Sequence, residues 1–411
     1  MTETNKSVPI SSGLPGLSRN SQYRLLLTSS FGTYIGRWIE TTVGAWLILE
    51  MTNSPFLVGL LGVCRFLGML LGPFCGAFSD RFDRRRILIA VQVAYGSASL
   101  IVMALFLLNW LEPWHLFLFT IVAGVSYTFD FSTRFVVVAD TVETGQLVPA
   151  ISLVFVFQSS TSILGPLLGG SLLDVIGPSG CFALTAASFG LSLATLLPLK
   201  TTQRIVVKTG ESMWRNLTDG FTYITRDRTL LALMLFAAIA NLFLFTYYYA
   251  LLPIFARDIL HTGASGFGEL MAAVGFGSAI GSVIAAWLSR ERAGGKLIVT
   301  AMLAWPVVLI GFAVSRVFGL SLLLLAVVGF GQGVSMSLIQ SLMLVWSSEE
   351  MRGRVSGIRA FAIGFLPLGN FIAGVGASLW GAPTILLAEA ATGFLAIALV
   401  TAWTRGILTR K

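Results

Sequence analysis

Twelve apolar runs divide this chain from end to end, over residues 25–49, 55–78, 87–111, 116–140, 147–172, 180–199, 229–255, 264–288, 297–315, 318–346, 356–379 and 383–404. Each is close to the roughly 20 helical residues that cross a hydrocarbon core of about 30 Å. Lipid offers no water to a peptide group, so a crossing segment must bond its own backbone as a helix or close into a barrel. Barrel strands alternate apolar and polar residues, whereas Ile87 to Leu108 and Leu147 to Leu173 contain no charge at all. Composition agrees: 11% of residues are charged, where a soluble chain of this size carries about a quarter. The fold class expected is all-α, a polytopic membrane protein with 12 transmembrane helices.

The net charge of +8 would suit a nucleic-acid ligand if the basic residues shared a face, but they do not. With the first residue inside, 22 of the 27 fall in the loops and tails on that side, among them Arg81, Arg84, Arg85, Arg86, Arg352 and Arg354. Arg257 and Arg316 fall outside, and Arg37, Arg65 and Arg134 lie within the membrane. Short cytoplasmic loops retain lysine and arginine, so both termini are expected in the cytoplasm and no nucleic-acid partner is implied. Two histidines and three cysteines leave too little for a disulfide framework or a Cys/His metal cluster, and no metal, cofactor or catalytic residue is expected.

Residues 1–24 are polar, lack the apolar core of a cleavable signal, and read as a cytoplasmic tail, as do residues 405–411. The longest polar interruption, residues 200–228, splits the spans into six-helix bundles at 25–199 and 229–404. Within it Met213, Trp214, Leu217, Phe221 and Ile224 recur at helical spacing, which suits either an amphipathic interface helix or an ordinary linker. The bundles are weakly alike. Gly76-Ala-Phe-Ser-Asp80-Arg81 after the second span is echoed by Ala286-Trp-Leu-Ser-Arg290 after the eighth, and Leu164-Gly165-Pro166 by Leu366-Pro367-Leu368-Gly369. Parallel repeats of this kind mark transporters whose substrate site lies between the halves.

These features resemble the major facilitator superfamily over nearly the whole chain. That family's loop after helix 2, G-x-x-x-D-R-x-G-R-R/K, is matched by Gly76, Asp80, Arg81, Arg84 and Arg85, with Asp83 in place of the second glycine. Its proton-coupled export branches carry G-x-x-x-G-P-x-x-G-G on helix 5, matched by Gly165, Pro166, Gly169 and Gly170, with Thr161 in place of the first glycine. The resemblance is strongest to bacterial exporters of siderophores, macrolides and other amphipathic compounds, and implies a monomer in the bacterial inner membrane whose partners are substrate, protons and lipid. It further implies a conformational latch. Asp80 would dock on the N-terminus of helix 11, whose amides favour a carboxylate, and Arg81 or Arg84 would pair with Asp140 at the end of helix 4. Alternatively these arginines only enforce topology, and the helix 5 glycines only permit a tight crossing.

Charges inside a membrane cost several kcal/mol and mark interior sites. On the first span Thr33, Arg37, Glu40 and Gly44 share a stripe, and Arg37 can pair with Glu40 at i, i+3. On the fourth, Tyr127, Asp130 and Arg134 share a face; Arg65 on the second can be a structural partner of either acid or a ligand. Three bases against two acids leave one positive charge for an anionic substrate. Glu40 and Asp130 are the proton-coupling candidates, the other reading being static salt bridges that hold helices together. The C-terminal half offers Asn241, Tyr248, Gln332 and Gln340 as substrate-binding candidates, with Glu269 and Glu389 placed near outer helix ends within reach of water or headgroups. The function expected is a proton-driven antiporter exporting an amphipathic small molecule by rocking two bundles, the alternative being a symporter or uniporter importing an organic anion. A channel or membrane enzyme finds no matching residues.

Overall fold

A computed structural model describes residues 13–72, 75, 78, 82–200, 213–288 and 294–404. Gly76, Asp80 and Arg81 lie outside the described residues, so the docking expected of Asp80 does too.

Helix α1, Ser21–Thr52, starts where Asn20 Oδ1 accepts from the amides of Gln22 and Tyr23, two donors that no helical carbonyl reaches. It ends at Asn53 in the left-handed region (φ 49°). Helix α2, Pro55–Leu67, is capped by Ser54 and tightens into a 3₁₀ turn at Gly68–Leu71. Helix α3, Arg84–Leu107, is capped by Asp83, whose carboxylate accepts from the amides of Arg85 and Arg86. The residue that departs from the family's loop pattern is thus a helix cap. Helix α4 is Pro113–Thr141. The fifth and sixth spans form one segment, Leu147–Leu196, broken at Gly177 (φ 69°) just before Pro178, which separates α5 (147–176) from α6 (178–196).

The second half opens with a linker helix, Met213–Arg226, then α7, Arg228–Ile259, capped by Asp227. Three π turns interrupt α7, at Ala240–Leu244, Tyr247–Leu251 and Phe255–Ile259. Helices α8 (Ala264–Leu288), α9 (Gly294–Val314) and α10 (Phe318–Val345) follow. Helix α11 runs over Arg352–Ile363 and Phe365–Trp380, and α12 over Ala382–Trp403. Among the described residues nine helical segments are long and apolar enough to cross a membrane, Leu147–Leu196 being two crossings in one. The first two crossings are α1, which is more polar, and the shorter α2. The exterior is greasy: Val175, Val283 and Leu399 are each exposed by 70% or more, which water would not tolerate as a continuous surface but lipid does.

Chain ends of the spans pair on one side. Asn20 Nδ2 donates to the Thr141 carbonyl and the Lys200 amide to Gln22 Oε1, while Arg228 lies over the Trp403 ring. This terminal side holds both the first and last described helix ends. The linker helix packs there on the second half through Gly220 against Ile358, Asp219 near Arg354 and Tyr223 Oη accepting from the Ser348 amide, with Ile224 buried.

The halves meet on the far side in two glycine crossings, α5 with α8 and α2 with α11. A Cβ at Gly170 would collide with the Ala264 carbonyl, and one at Gly59 would stand 2.6 Å from the Gly374 Cα. Only a residue without a side chain permits that approach. Polar bonds flank both crossings. Arg257 at the end of α7 donates to the Leu49 carbonyl (3.0 Å) and Asn53 Oδ1 (2.5 Å), and Asp174 accepts from the Ser265 amide at the start of α8 (3.2 Å). Trp46 stacks on Phe267 beside them. The far side is therefore shut.

Candidate functional site

On the terminal side of these crossings, near mid-membrane, lies a cavity of about 310 Å³ between the halves. Its first-half wall holds Tyr34, Arg37 and Trp38 of α1, Tyr127 of α4 and Gln158, Ser159 and Ser162 of α5. The second half supplies Phe245, Tyr248 and Tyr249 of α7, Ser278 of α8 and Gln332 of α10. A larger groove, about 440 Å³, lies over α3 and α4, but it is shallow and almost wholly apolar, as a lipid-facing surface should be.

Arg37 does not pair with Glu40, although their spacing allows it. Its guanidinium lies 3.3 Å from the centre of the Tyr127 ring, and among the described residues no carboxylate stands within ion-pair distance. It is a cation held by an aromatic face in the wall of the cavity.

Glu40 is taken by Arg65 instead. Arg65 reaches across from α2 and donates Nη2 to Oε1 (2.8 Å) and Nη1 to Oε2 (3.1 Å), and the Tyr95 hydroxyl of α3 donates to Oε2 at 2.7 Å. Glu40 is fully buried, and two parallel bonds from a planar guanidinium are the arrangement that offsets burying both charges. Asp130 is held by Arg134 one turn on, Nε to Oδ2 at 2.8 Å and Nη2 to Oδ1 at 2.5 Å. Arg134 spends its remaining donors on the hydroxyls of Ser29, Ser30 and Thr33 of α1, so all five are used and the side chain is wholly buried. Gln92 of α3 closes the cluster, donating to Asp130 Oδ1 and accepting from Thr33.

Neither acid opens directly on the cavity. A crevice of about 10 Å³, near the smallest that admits one water, lies beside Asp130 behind Tyr34, Arg37 and Tyr127. Another of about 10 Å³ lies beside Arg65 behind Tyr248 and Tyr249. Each ion pair is thus one side-chain layer from the central space.

The other candidates separate. Tyr248 and Gln332 line the cavity. Asn241 is buried and donates to its own helix at the Ala237 carbonyl, and Gln340 is exposed further along α10; neither lines the cavity. Arg84 Nη1 donates to Asp140 Oδ2 at 2.8 Å on the terminal side. In the helix 5 motif, Gly165 and Gly169 seat α5 on α1 at Trp38 and Ile39, while Pro166 and Gly170 present backbone to Gly268 and Ala264 of α8. Pro166 donates no amide, which leaves the Ser162 carbonyl free of its helical partner, and that carbonyl faces Gly275. Of the two outer carboxylates, Glu269 is exposed, but Glu389 is buried (3% exposed), because α12 turns it toward Thr246 of α7 instead of the headgroups. Tyr34, Trp38, Gln92 and Tyr95 were not singled out by sequence; aromatic and amide residues are too common in apolar helices to stand out.

Residues 11–405 match the family of transmembrane secretion effectors. The chain belongs to that family. Its relatives include the enterobactin exporter EntS of Salmonella choleraesuis (strain SC-B67), 24% identical over 319 residues that span 76% of this chain and 74% of the relative. The fold is shared with the nucleoside transporter NupG (TM-score 0.70, 15% identity, 93% of this chain and 98% of that one). It is shared too with a bacterial homologue of the human lysosomal transporter Spinster in an inward-facing, occupied conformation (TM-score 0.75, 15% identity, 95% and 97%). The chain is a polytopic membrane transporter of the major facilitator type, not an enzyme, and its cargo is a small molecule.

Proposed function

We infer that this transporter is a proton-driven antiporter of the bacterial inner membrane, exporting an amphipathic small molecule that carries an anionic group. Arg37 carries the reading: a cation with no acid partner among the described residues, set in an aromatic and amide wall between the halves. An aromatic surface takes the apolar body of such a cargo, and a guanidinium takes a carboxylate or similar anion in two bonds. With the terminal side in the cytoplasm, the shut far side and the central cavity suit loading from within. The relative named as an enterobactin exporter supports the outward direction.

Coupling needs a carboxylate that gains and loses a proton as access alternates. Glu40 and Asp130 are suited because each lies one layer from the cavity and each is tied to a different neighbour, Arg65 of α2 and Arg134 of α4. Rocking the bundles changes which side water reaches them from. One proton moving down about 150 mV delivers roughly 3 kcal/mol, enough for about a hundredfold gradient of cargo.

The test uses everted vesicles energised by respiration. A siderophore added outside should alkalinise the lumen as protons leave in exchange, and Glu40→Gln or Asp130→Asn should abolish the signal. Unchanged cargo-induced alkalinisation in both variants would remove the coupling; uptake by intact cells would reverse the direction.

A further inference from the structure

The second half contains a buried acid that the transport reading does not use. Glu389, two turns into α12, has one carboxyl oxygen, Oε2, 2.6 Å from Thr246 Oγ1. The other, Oε1, is buried with no hydrogen-bond partner. Among the described residues no cation compensates it. The elements packed on α12 are α7, α9 and α11. On α7 the charged residues are Arg228, which lies over Trp403 at the opposite end of α12, and Arg257 and Asp258, which pair with each other on the far side. The Tyr247 hydroxyl of α7 is directed to Gln332. Helix α9 carries Lys296 in its first turn and no other charge, and Phe365–Trp380 of α11 carries none. An ionised carboxylate in such a place would lack both water and a counter-ion, which costs far more than carrying a proton.

Thr246 stands between two of the π turns of α7, where the helix changes its hydrogen-bond register. Gly369 of α11 lies against the same stretch, at the Leu242 carbonyl and the Thr246 methyl. The Thr246 hydroxyl is also 3.4 Å from the Phe243 carbonyl inside the first π turn. A protonated Glu389 can therefore donate from Oε2 to Thr246 Oγ1, which passes its own hydrogen toward Phe243. The chain of bonds ends on the irregular backbone. Helices that carry π turns often change register at functional sites.

We propose that Glu389 is a second proton-binding site, in the C-terminal bundle, whose neutral form holds the π-turned stretch of α7 in the arrangement that shuts the far side. Ionised Glu389 needs water or a counter-ion, so losing the proton favours a joint between α7 and α12 that admits one. Proton binding here needs no cargo and no particular transport direction, so it stands or fails independently of the export reading.

The full-length protein in lipid nanodiscs, without cargo, tests it by infrared difference spectroscopy across a pH titration, alongside distances between spin labels on the far ends of α1 and α7. The wild type should show a protonated-carboxyl band that Glu389→Gln removes, and the spin-label distance should change with pH. In Glu389→Gln, which mimics the neutral acid, that pH response should fall at least fivefold while the shut distance remains. Should Glu389→Gln fail to fold, Thr246→Val keeps the acid but removes its partner, and the band should move to higher frequency. A full pH response in Glu389→Gln, or an unmoved band in Thr246→Val, overturns the proposal.

Discussion

Arg65 grips Glu40 at both carboxylate oxygens, at 2.8 and 3.1 Å, and so joins α2 to α1 beneath the crossing where α2 meets α11. Removing one partner of such a pair strands the other in a dry interior, which typically costs about 3–5 kcal/mol, while removing both charges costs much less. Arg65→Leu should accordingly lower the melting temperature in detergent sharply, and Arg65→Leu with Glu40→Gln should regain more than half of the loss. Equal melting temperatures for the single and double variants would show that the pair is not coupled.

The stacked Arg37 should set preference for cargo charge. Hydrogen bonds to a charged group contribute roughly 1.5–3 kcal/mol, so Arg37→Ala should weaken binding of an anionic cargo about ten- to a hundredfold and leave a neutral analogue nearly unchanged. Arg37→Lys keeps the charge but loses the planar stack, and should fall between. Titrations followed by intrinsic tryptophan fluorescence would read this, Trp38 being in the same wall.

The glycine crossings predict a steric switch. Valine at Gly170 cannot be accommodated against Ala264 and Gly268, so the far side should be forced open. With cysteine introduced at Ser265, an impermeant maleimide should react at least tenfold faster in Gly170→Val than in the parent. Gly190→Val is the control, since a Cβ there meets nothing within 4 Å. Equal acceleration by both would point to general loosening.

Arg257 ties the end of α7 to the end of α1, where it adds a second bond to the Leu49 carbonyl, already accepting from the Asn53 amide, and meets the negative end of the helix dipole. Arg257→Ala should release about 1 kcal/mol of far-side closure, roughly a fivefold change in the open population. Spin-label distances across the far side would show it, and an unaltered distribution would assign the closure to the glycine crossings alone.

Much of this was legible in the sequence. Uncharged runs give the crossings, because lipid imposes one rule on every peptide group. Which base meets Glu40 was not legible. Arg37 and Glu40 are neighbours on one helix, yet Arg65 wins Glu40 because it approaches from α2 with both guanidinium nitrogens, a geometry that exists only once the helices are packed. Glu389 was misplaced for a related reason: a position near a helix end says how deep a residue sits but not which way it turns. Asn241 and Gln340 lie off the cavity because a neutral amide can as easily satisfy itself on its own helix or face outward.

At Gly59 and Gly374, and again at Gly170 and Gly268, the two halves touch main chain to main chain. No rotamers interlock there, so nothing has to be unpicked when one half rolls over the other. A bearing with bare surfaces turns at small cost, and its stopping points are then left to the few polar ties and ion pairs placed around it.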